Sequence, residues 1–303
     1  MPLSGEKIGF VGKGGAGKST CLVLLARAMQ QRGYEVCVLD TDSTNVGLHA
    51  ALGISQPPRS LIDHFGGMVF LGGQVTCPVD DPTALLNPEI DLAHLPTEYV
   101  SRSNDGTVLL VAGKLADFGV GSGCDGPLVK IARDLIVKHR GRRMLMLVDL
   151  KAGIEDTARG VLVGMDRAIV VTDPSTAGLG IAAYMSELVG QLRAGAEPAT
   201  HHLESAELAD VARKRYSESR LAAVHVILNR VVDEEEEQDV RRMLAERGIE
   251  PIAVIRDQPA LRRAWLRSQP LPMADLAGEL DKALDHIEAG ANSATRVAAA
   301  SGH

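Results

Sequence analysis

Residues 12–20 read Gly12-Lys13-Gly14-Gly15-Ala16-Gly17-Lys18-Ser19-Thr20. A short apolar run, 7–11, precedes them, and helical periodicity follows over 19–31, closed by Gly33. A strand that enters G-x-x-x-x-G-K-[ST] and leaves it as a helix is the setting of a phosphate-binding loop. The glycines let the backbone curl until successive N–H groups face one point. The start of the helix adds the positive end of its dipole. In such a loop Gly14, Gly15, Ala16 and Gly17 offer N–H groups to the phosphates, and Lys18 reaches the β- and γ-phosphates. Ser19 is expected to ligate Mg²⁺ and Thr20 to touch the α-phosphate, which makes ATP and Mg²⁺ the expected cofactors.

Outward from this loop, apolar strand-like runs recur at 35–39, 107–112, 144–148, 168–171, 222–228 and 251–255. Helical patterns at 126–139, 154–163, 176–192 and 234–247 separate most of them. Such alternation predicts an α/β fold: a mostly parallel sheet of about seven strands, covered by helices on both faces. We read residues 1–288 as one domain. Three segments interrupt the rhythm. Residues 53–99 are rich in Gly, Pro and Asp and are expected to pack over the nucleotide end of the sheet. Residues 194–220 read as an inserted polar helix and loop, and 289–303 as a small, polar, frayed tail.

With 303 residues, 45% of them hydrophobic, the chain can bury a large core. A formal net charge of −7 without a basic run, and 3% aromatics, argue against nucleic acid as a partner. No apolar stretch reaches membrane-spanning length, and the first ten residues lack the pattern of a secretory leader, so no membrane partner and a cytoplasmic location are expected. Four cysteines (Cys21, Cys37, Cys77, Cys124) show no zinc-type pair spacing. Cys21 and Cys37 fall in a helix and a strand and are read as core; Cys77 has no evident place.

A second carboxylate site follows the run 144–148, where Asp149 opens Asp149-Leu150-Lys151-Ala152-Gly153-Ile154-Glu155. An aspartate closing an apolar strand beside a phosphate loop is the usual holder of Mg²⁺ and its water. Gly153 can bring its N–H against the γ-phosphate. Lys151 has no explanation in the sequence, and the pair His201-His202 reads as solvated loop.

The early lysine, Lys13 within GKGGAGKST, resembles the deviant phosphate loops of the family that contains the nitrogenase iron protein, MinD, ParA and the arsenite-pump ATPases. The resemblance implies a homodimer formed with ATP, in which Lys13 crosses to the partner's nucleotide. A positive charge arriving there on dimerisation stabilises the charge developed in phosphoryl transfer. Asp40-Thr41-Asp42-Ser43 resembles that family's D-x-D-P, with Ser43 in place of proline. It implies that Asp42 orients the attacking water and that Asp40 lies near the Mg²⁺ shell; capping of the next helix is the other reading of either acid. Asn229-Arg230 is similar to the pair that reads adenine, with residues 255–259 closing the other side of the base. Lys13, Lys18 and Asp42 are thus the expected catalytic residues.

Residues 108–136, VLLVAGKLADFGVGSGCDGPLVKIARDLI, and 148–175, VDLKAGIEDTARGVLVGMDRAIVVTDPS, resemble the carbon monoxide dehydrogenase nickel-insertion ATPases, the CooC family. The likeness covers roughly 5–55 and 100–290. It implies a dimerising Mg-ATP-dependent ATPase that serves as a metal-insertion factor for a client metalloenzyme. That family carries C-x-C where this chain has Cys124-Asp125-Gly126. Two Cys124 thiolates across a dimer axis cannot supply the four ligands of an iron–sulfur cluster, but they suit one Zn²⁺, Ni²⁺ or Cu⁺ ion, with Asp125 or water completing the shell. A free thiol without a metal is the other reading. The alternative function is a positioning or partitioning ATPase of the MinD and ParA kind. That class uses an amphipathic tail or a basic DNA surface, and residues 291–303 offer one arginine and no amphipathic apolar face.

Overall fold

The computed structural model describes residues 1–114 and 124–300. Most of the glycine-rich run before Cys124 and the end of the tail, 301–303, lie outside the described residues.

Strand β1 (Lys7–Val11) passes through the glycine loop into helix α1 (Lys18–Gln31), and β2 (Val36–Asp40) follows. The segment after β2 holds two short helices, α2 (Leu48–Ala51) and α3 (Leu61–His64), and two short strands, β3 (Glu89–Asp91) and β4 (Ser101–Arg102). Next come β5 (Val108–Val111), α4 (Gly126–Asp134), β6 (Ile136–His139), β7 (Arg142–Arg143) and β8 (Leu145–Asp149). The second half holds α5 (Glu155–Ala158), β9 (Arg167–Thr172), α6 (Thr176–Arg193), α7 (Ala206–Ser217), β10 (Ala223–Val231), α8 (Glu234–Ala245), β11 (Pro251–Arg256), α9 (Pro259–Leu266) and α10 (Ala277–Ala300).

The main sheet has the order β11-β10-β9-β1-β8-β2-β5-β4. Seven strands run parallel, and the eighth, β4, is a short antiparallel edge. Every residue of β1, β2, β5, β8 and β9 is buried, as expected of strands covered on both faces. One apolar cluster lies on each side: one includes Val148, Val170 and Met185, the other Phe10, Leu25 and Leu284. The register sets Phe10 and Asp40 on either side of Asp149. The ends of three neighbouring strands therefore deliver the glycine loop and two carboxylates to one crevice, the usual ligand position of an open α/β sheet.

Two helical readings end earlier than the periodicity suggests. The pattern at 126–139 is helix only to Asp134, after which Ile136–His139 forms β6. Arg140 and Gly141 both have positive φ (52° and 75°), the backbone of a two-residue hairpin turn, and they fold β6 back on β7. The buried Lys7 donates to the carbonyls of Arg133 and Leu135 (3.1 and 2.9 Å), which satisfies the end of α4. The pattern at 154–163 breaks at Gly160, whose φ of 77° ends the turn.

Residues 53–99 line one edge of the crevice and pack on α4. Ile62 N–H donates to Ala112 O at 2.9 Å just past β5, and Lys130 of α4 pairs with Asp81 at 2.7 Å. The insertion at 194–220 carries α7, capped by Ser205, and Arg215 of α7 reaches Asp134 at 2.9 Å. Helix α10 continues through Ala300, past residue 288. Among the described residues no helix is long and apolar enough to cross a membrane.

Candidate functional site

The glycine loop is held in a shape that only glycine allows at two points. Gly12 has φ 148°, and a Cβ there would lie 2.2 Å from Val171 O; Gly17 has φ 94°, and a Cβ there would lie 2.1 Å from the Asn229 amide nitrogen. Lys18 lies at the start of α1 and is 6% exposed. Asn229, at the end of β10, donates from Nδ2 to Ala16 O at 2.7 Å and so braces the loop from below. Arg230 beside it is exposed, with φ 64°. Thr20 Oγ1 accepts from Trp265 Nε1 at 2.8 Å, so α9 also grips the start of α1.

Three acids and a hydroxyl gather beside the loop. Ser19 Oγ donates to Asp149 Oδ2 at 2.6 Å, and Asn45 Nδ2 reaches Ser19 Oγ at 3.0 Å. Asp149 is fully buried, and burial raises its carboxyl pKa against the pull of Lys18. Burial likewise pushes Asp40 up to about 7, although Lys114 pairs with its Oδ2 at 2.8 Å. Among the described residues, Oδ1 of Asp40 and Oδ1 of Asp149 have no hydrogen-bond partner. A buried carboxylate oxygen without a partner is costly, and a hard divalent cation is the kind of ligand that removes the cost. Ser19, Asp149 and Asp40 thus fit Mg²⁺ in donor chemistry. Asp42 is the third acid: its charge acts on Asp40 and Asp149, and its own bonds are local. Its Oδ1 accepts from the N–H and hydroxyl of Thr44 at 3.0 and 2.7 Å.

The two switch segments touch the loop and one another. Gly153 N–H donates to Gly12 O at 3.0 Å, so the second switch is fastened to the entry of the loop. Lys13 turns to its own chain, where Nζ lies 3.1 Å from Asp173 Oδ2 and 3.1 Å from Ser175 Oγ.

Lys151 finds its explanation here. Its Nζ donates to Asp125 Oδ2 at 2.6 Å, while Arg159 approaches Asp125 Oδ1 at 3.4 Å and Ser43 Oγ reaches Oδ2 at 3.2 Å. Burial works against the Asp125 charge, but Lys151 and Arg159 outweigh it and hold its carboxyl below the usual range. Asp125 therefore joins both switches to the residue that follows Cys124. Arg159, Lys114 and Trp265 are site residues that motif reading does not find, and Asp125, expected only as a completing ligand beside Cys124, instead ties the two switches; the unexplained Lys151 and Ser43 in the proline position were the signals of that junction. His202 donates from Nε2 to Val79 O (3.1 Å) in an exposed position. A cavity of about 750 Å³ lies off the loop, lined by Asp40, Lys114 and residues between 57 and 73.

A strand–glycine loop–helix unit with acids at two neighbouring strand ends defines a P-loop nucleotide-binding protein. Residues 10–271 match the CobQ/CobB/MinD/ParA nucleotide binding domain, and the chain belongs to that family of ATPases. It is 33% identical over 184 residues to an uncharacterized ATP-binding protein of Methanocaldococcus jannaschii, covering 60% of this chain and 72% of the relative. It is 31% identical over 190 residues to the carbon monoxide dehydrogenase accessory protein CooC of Rhodospirillum rubrum, covering 61% and 70%. In fold it is similar to the septum site-determining protein MinD complexed with Mg-ADP from Pyrococcus horikoshii, with a TM-score of 0.57 at 18% identity over 93% of this chain and 95% of that one.

Proposed function

We propose that the chain is a homodimeric Mg-ATP switch that serves as a metal-insertion factor for a client metalloenzyme. One observation carries this reading. Asp125, next to Cys124, is gripped by Ser43 of the first switch and by Lys151 and Arg159 of the second. A change in either switch on binding or losing the γ-phosphate moves the partners of Asp125, and with them the thiol beside it. The similarity to the CooC accessory protein supports the same assignment. The positioning alternative draws on fold similarity below 25% identity, which the whole family shares.

In this reading the loop N–H groups of residues 14–17 and Lys18 hold the phosphates. Ser19, Asp149 and Asp40 hold Mg²⁺, which neutralises charge on the phosphate oxygens. Gly153 exchanges its bond with Gly12 for the γ-phosphate. Lys13 leaves Asp173 and serves the partner's nucleotide. Asn229 and Arg230 flank the base, and Asp42 orients the attacking water.

Asp42→Asn is expected to bind ATP normally and to hydrolyse it roughly 100-fold more slowly, the scale of a lost water-orienting carboxylate. The amide keeps an acceptor for the two Thr44 bonds, so the loop holds its shape while the charge goes. Phosphate release assays check it; wild-type turnover would move the role elsewhere.

The metal role is tested by measuring Zn²⁺ retention of the wild type with and without a non-hydrolysable ATP analogue, alongside Cys124→Ser. Tighter retention with nucleotide, lost in Cys124→Ser, is the expected result. Equal retention by both proteins, or none by either, leaves only the ATP switch.

A further inference from the structure

Gly126 opens α4 and has no room for a side chain. A Cβ there would lie 2.5 Å from the Cys77 sulfur, 2.8 Å from Cys77 Cβ and 3.2 Å from the Cys124 sulfur. The two thiols, distant in sequence, thus flank one point, and their sulfurs are closer together than the sum of the two sulfur distances. Both cysteines are free and only partly buried, so an ion can reach them.

Backbone donors approach both sulfurs. Gly126 N–H donates to Cys124 Sγ at 3.3 Å. At Cys77 burial raises the thiol pKa, and the backbone N–H groups of Val79 and Asp80 oppose that rise. A soft metal ion binds the thiolate and displaces the thiol proton as it does so. The loop bearing Cys77 is also fixed in place. Its Asp81 N–H donates to Cys77 O at 3.0 Å, and the Asp81 carboxylate takes Lys130 of α4 at 2.7 Å and the Thr76 hydroxyl at 2.7 Å. These part-buried charged bonds hold Cys77 in register with the helix that carries Gly126.

We propose that Cys77 and Cys124 of one chain form a dithiol site for a thiophilic transition-metal ion. This deepens the metal-handling reading of Cys124 and rests on it. The sulfur that the C-x-C resemblance places on residue 126 comes here from the loop at 77. Among the described residues no group of three or more His, Cys, Asp or Glu side chains converges on one ion position. The chain therefore supplies two soft ligands and leaves the other positions to water, to a second copy's pair or to a client side chain. A closed four-ligand shell is structural; an open one suits an ion that is to be passed on.

The test uses the full chain without nucleotide. Zn²⁺ affinity is measured by competition with a chromogenic chelator, and Co²⁺ serves as a spectroscopic probe of thiolate ligation. Cys77→Ser and Cys124→Ser are each expected to weaken Zn²⁺ binding by at least roughly 100-fold, since each removes one of two protein ligands. Each also lowers the thiolate-to-Co²⁺ absorption by about half. The double variant Cys77→Gly/Gly126→Cys moves the thiol to residue 126 and removes the collision; it recovers Zn²⁺ binding to within about tenfold of wild type. Thermal melting of the metal-free variants reads any loss of fold separately. If Cys77→Ser binds Zn²⁺ as wild type does while Cys124→Ser does not, the dithiol is overturned and the Cys124 reading survives. If wild type binds neither ion, both are overturned.

Discussion

Lys18→Ala is expected to lose ATP at concentrations that saturate the wild type, a weakening of at least roughly 100-fold, or about 3 kcal/mol. The side chain is almost fully buried at the mouth of α1, so no solvent-exposed lysine substitutes for it. Its charge also offsets Asp149. Without it the nucleotide's phosphates face Asp149, Asp40 and Asp42 with only backbone N–H groups to hold them. The fold survives, because Gly12, Gly17 and the Asn229 brace shape the loop independently of the lysine. Isothermal calorimetry with Mg-ATP, paired with a thermal melt, separates the two effects. Unchanged affinity would remove the phosphate-loop assignment of Lys18.

Lys13→Gln is expected to bind ATP as tightly as wild type and yet fail to dimerise with it, with hydrolysis reduced on the order of 10³-fold. Among the described residues the Lys13 amine bonds Asp173 and Ser175, at the rim of the loop. A partly exposed pair of this kind contributes about 0.2–1 kcal/mol to stability, so the melting temperature barely moves. The effect belongs to the second chain, where a lysine arriving across the interface meets charge that builds only in the transition state. Light scattering with and without ATP, together with steady-state hydrolysis, reads both parts. A variant that dimerises and turns over normally would make Lys13 an ordinary loop residue.

The parallel sheet and the loop were legible in the chain because their signals are local. Unbroken apolar runs such as 144–148 and 168–171 have little choice but to be doubly covered strands, and glycines 12 and 17 stand where a Cβ would strike Val171 or Asn229. What was not legible depends on partners far along the chain. Nothing adjacent to Lys151 or Ser43 announces that both end on Asp125. Lys114 binds Asp40 across two strands, and Cys77 reaches Gly126 through a loop with few elements of its own. The early end of α4 belongs to the same class. Its periodicity continues into 136–139, and only the Arg140-Gly141 turn and the pairing of β6 with β3 and β7 make that stretch a strand. Site residues set by tertiary contact leave a trace in sequence only as oddities, such as a lysine inside a switch or a serine in a proline's place.

Trp265 is the chain's single tryptophan, and its indole N–H ends on Thr20, with the ring over Gly47 just after the first switch. The molecule thus carries one indole, which can be excited apart from its four tyrosines, wired to the two segments that a nucleotide would rearrange. Its emission reports one place and no other, so the kinetics of loading and release can be followed in unlabelled protein, one turnover at a time.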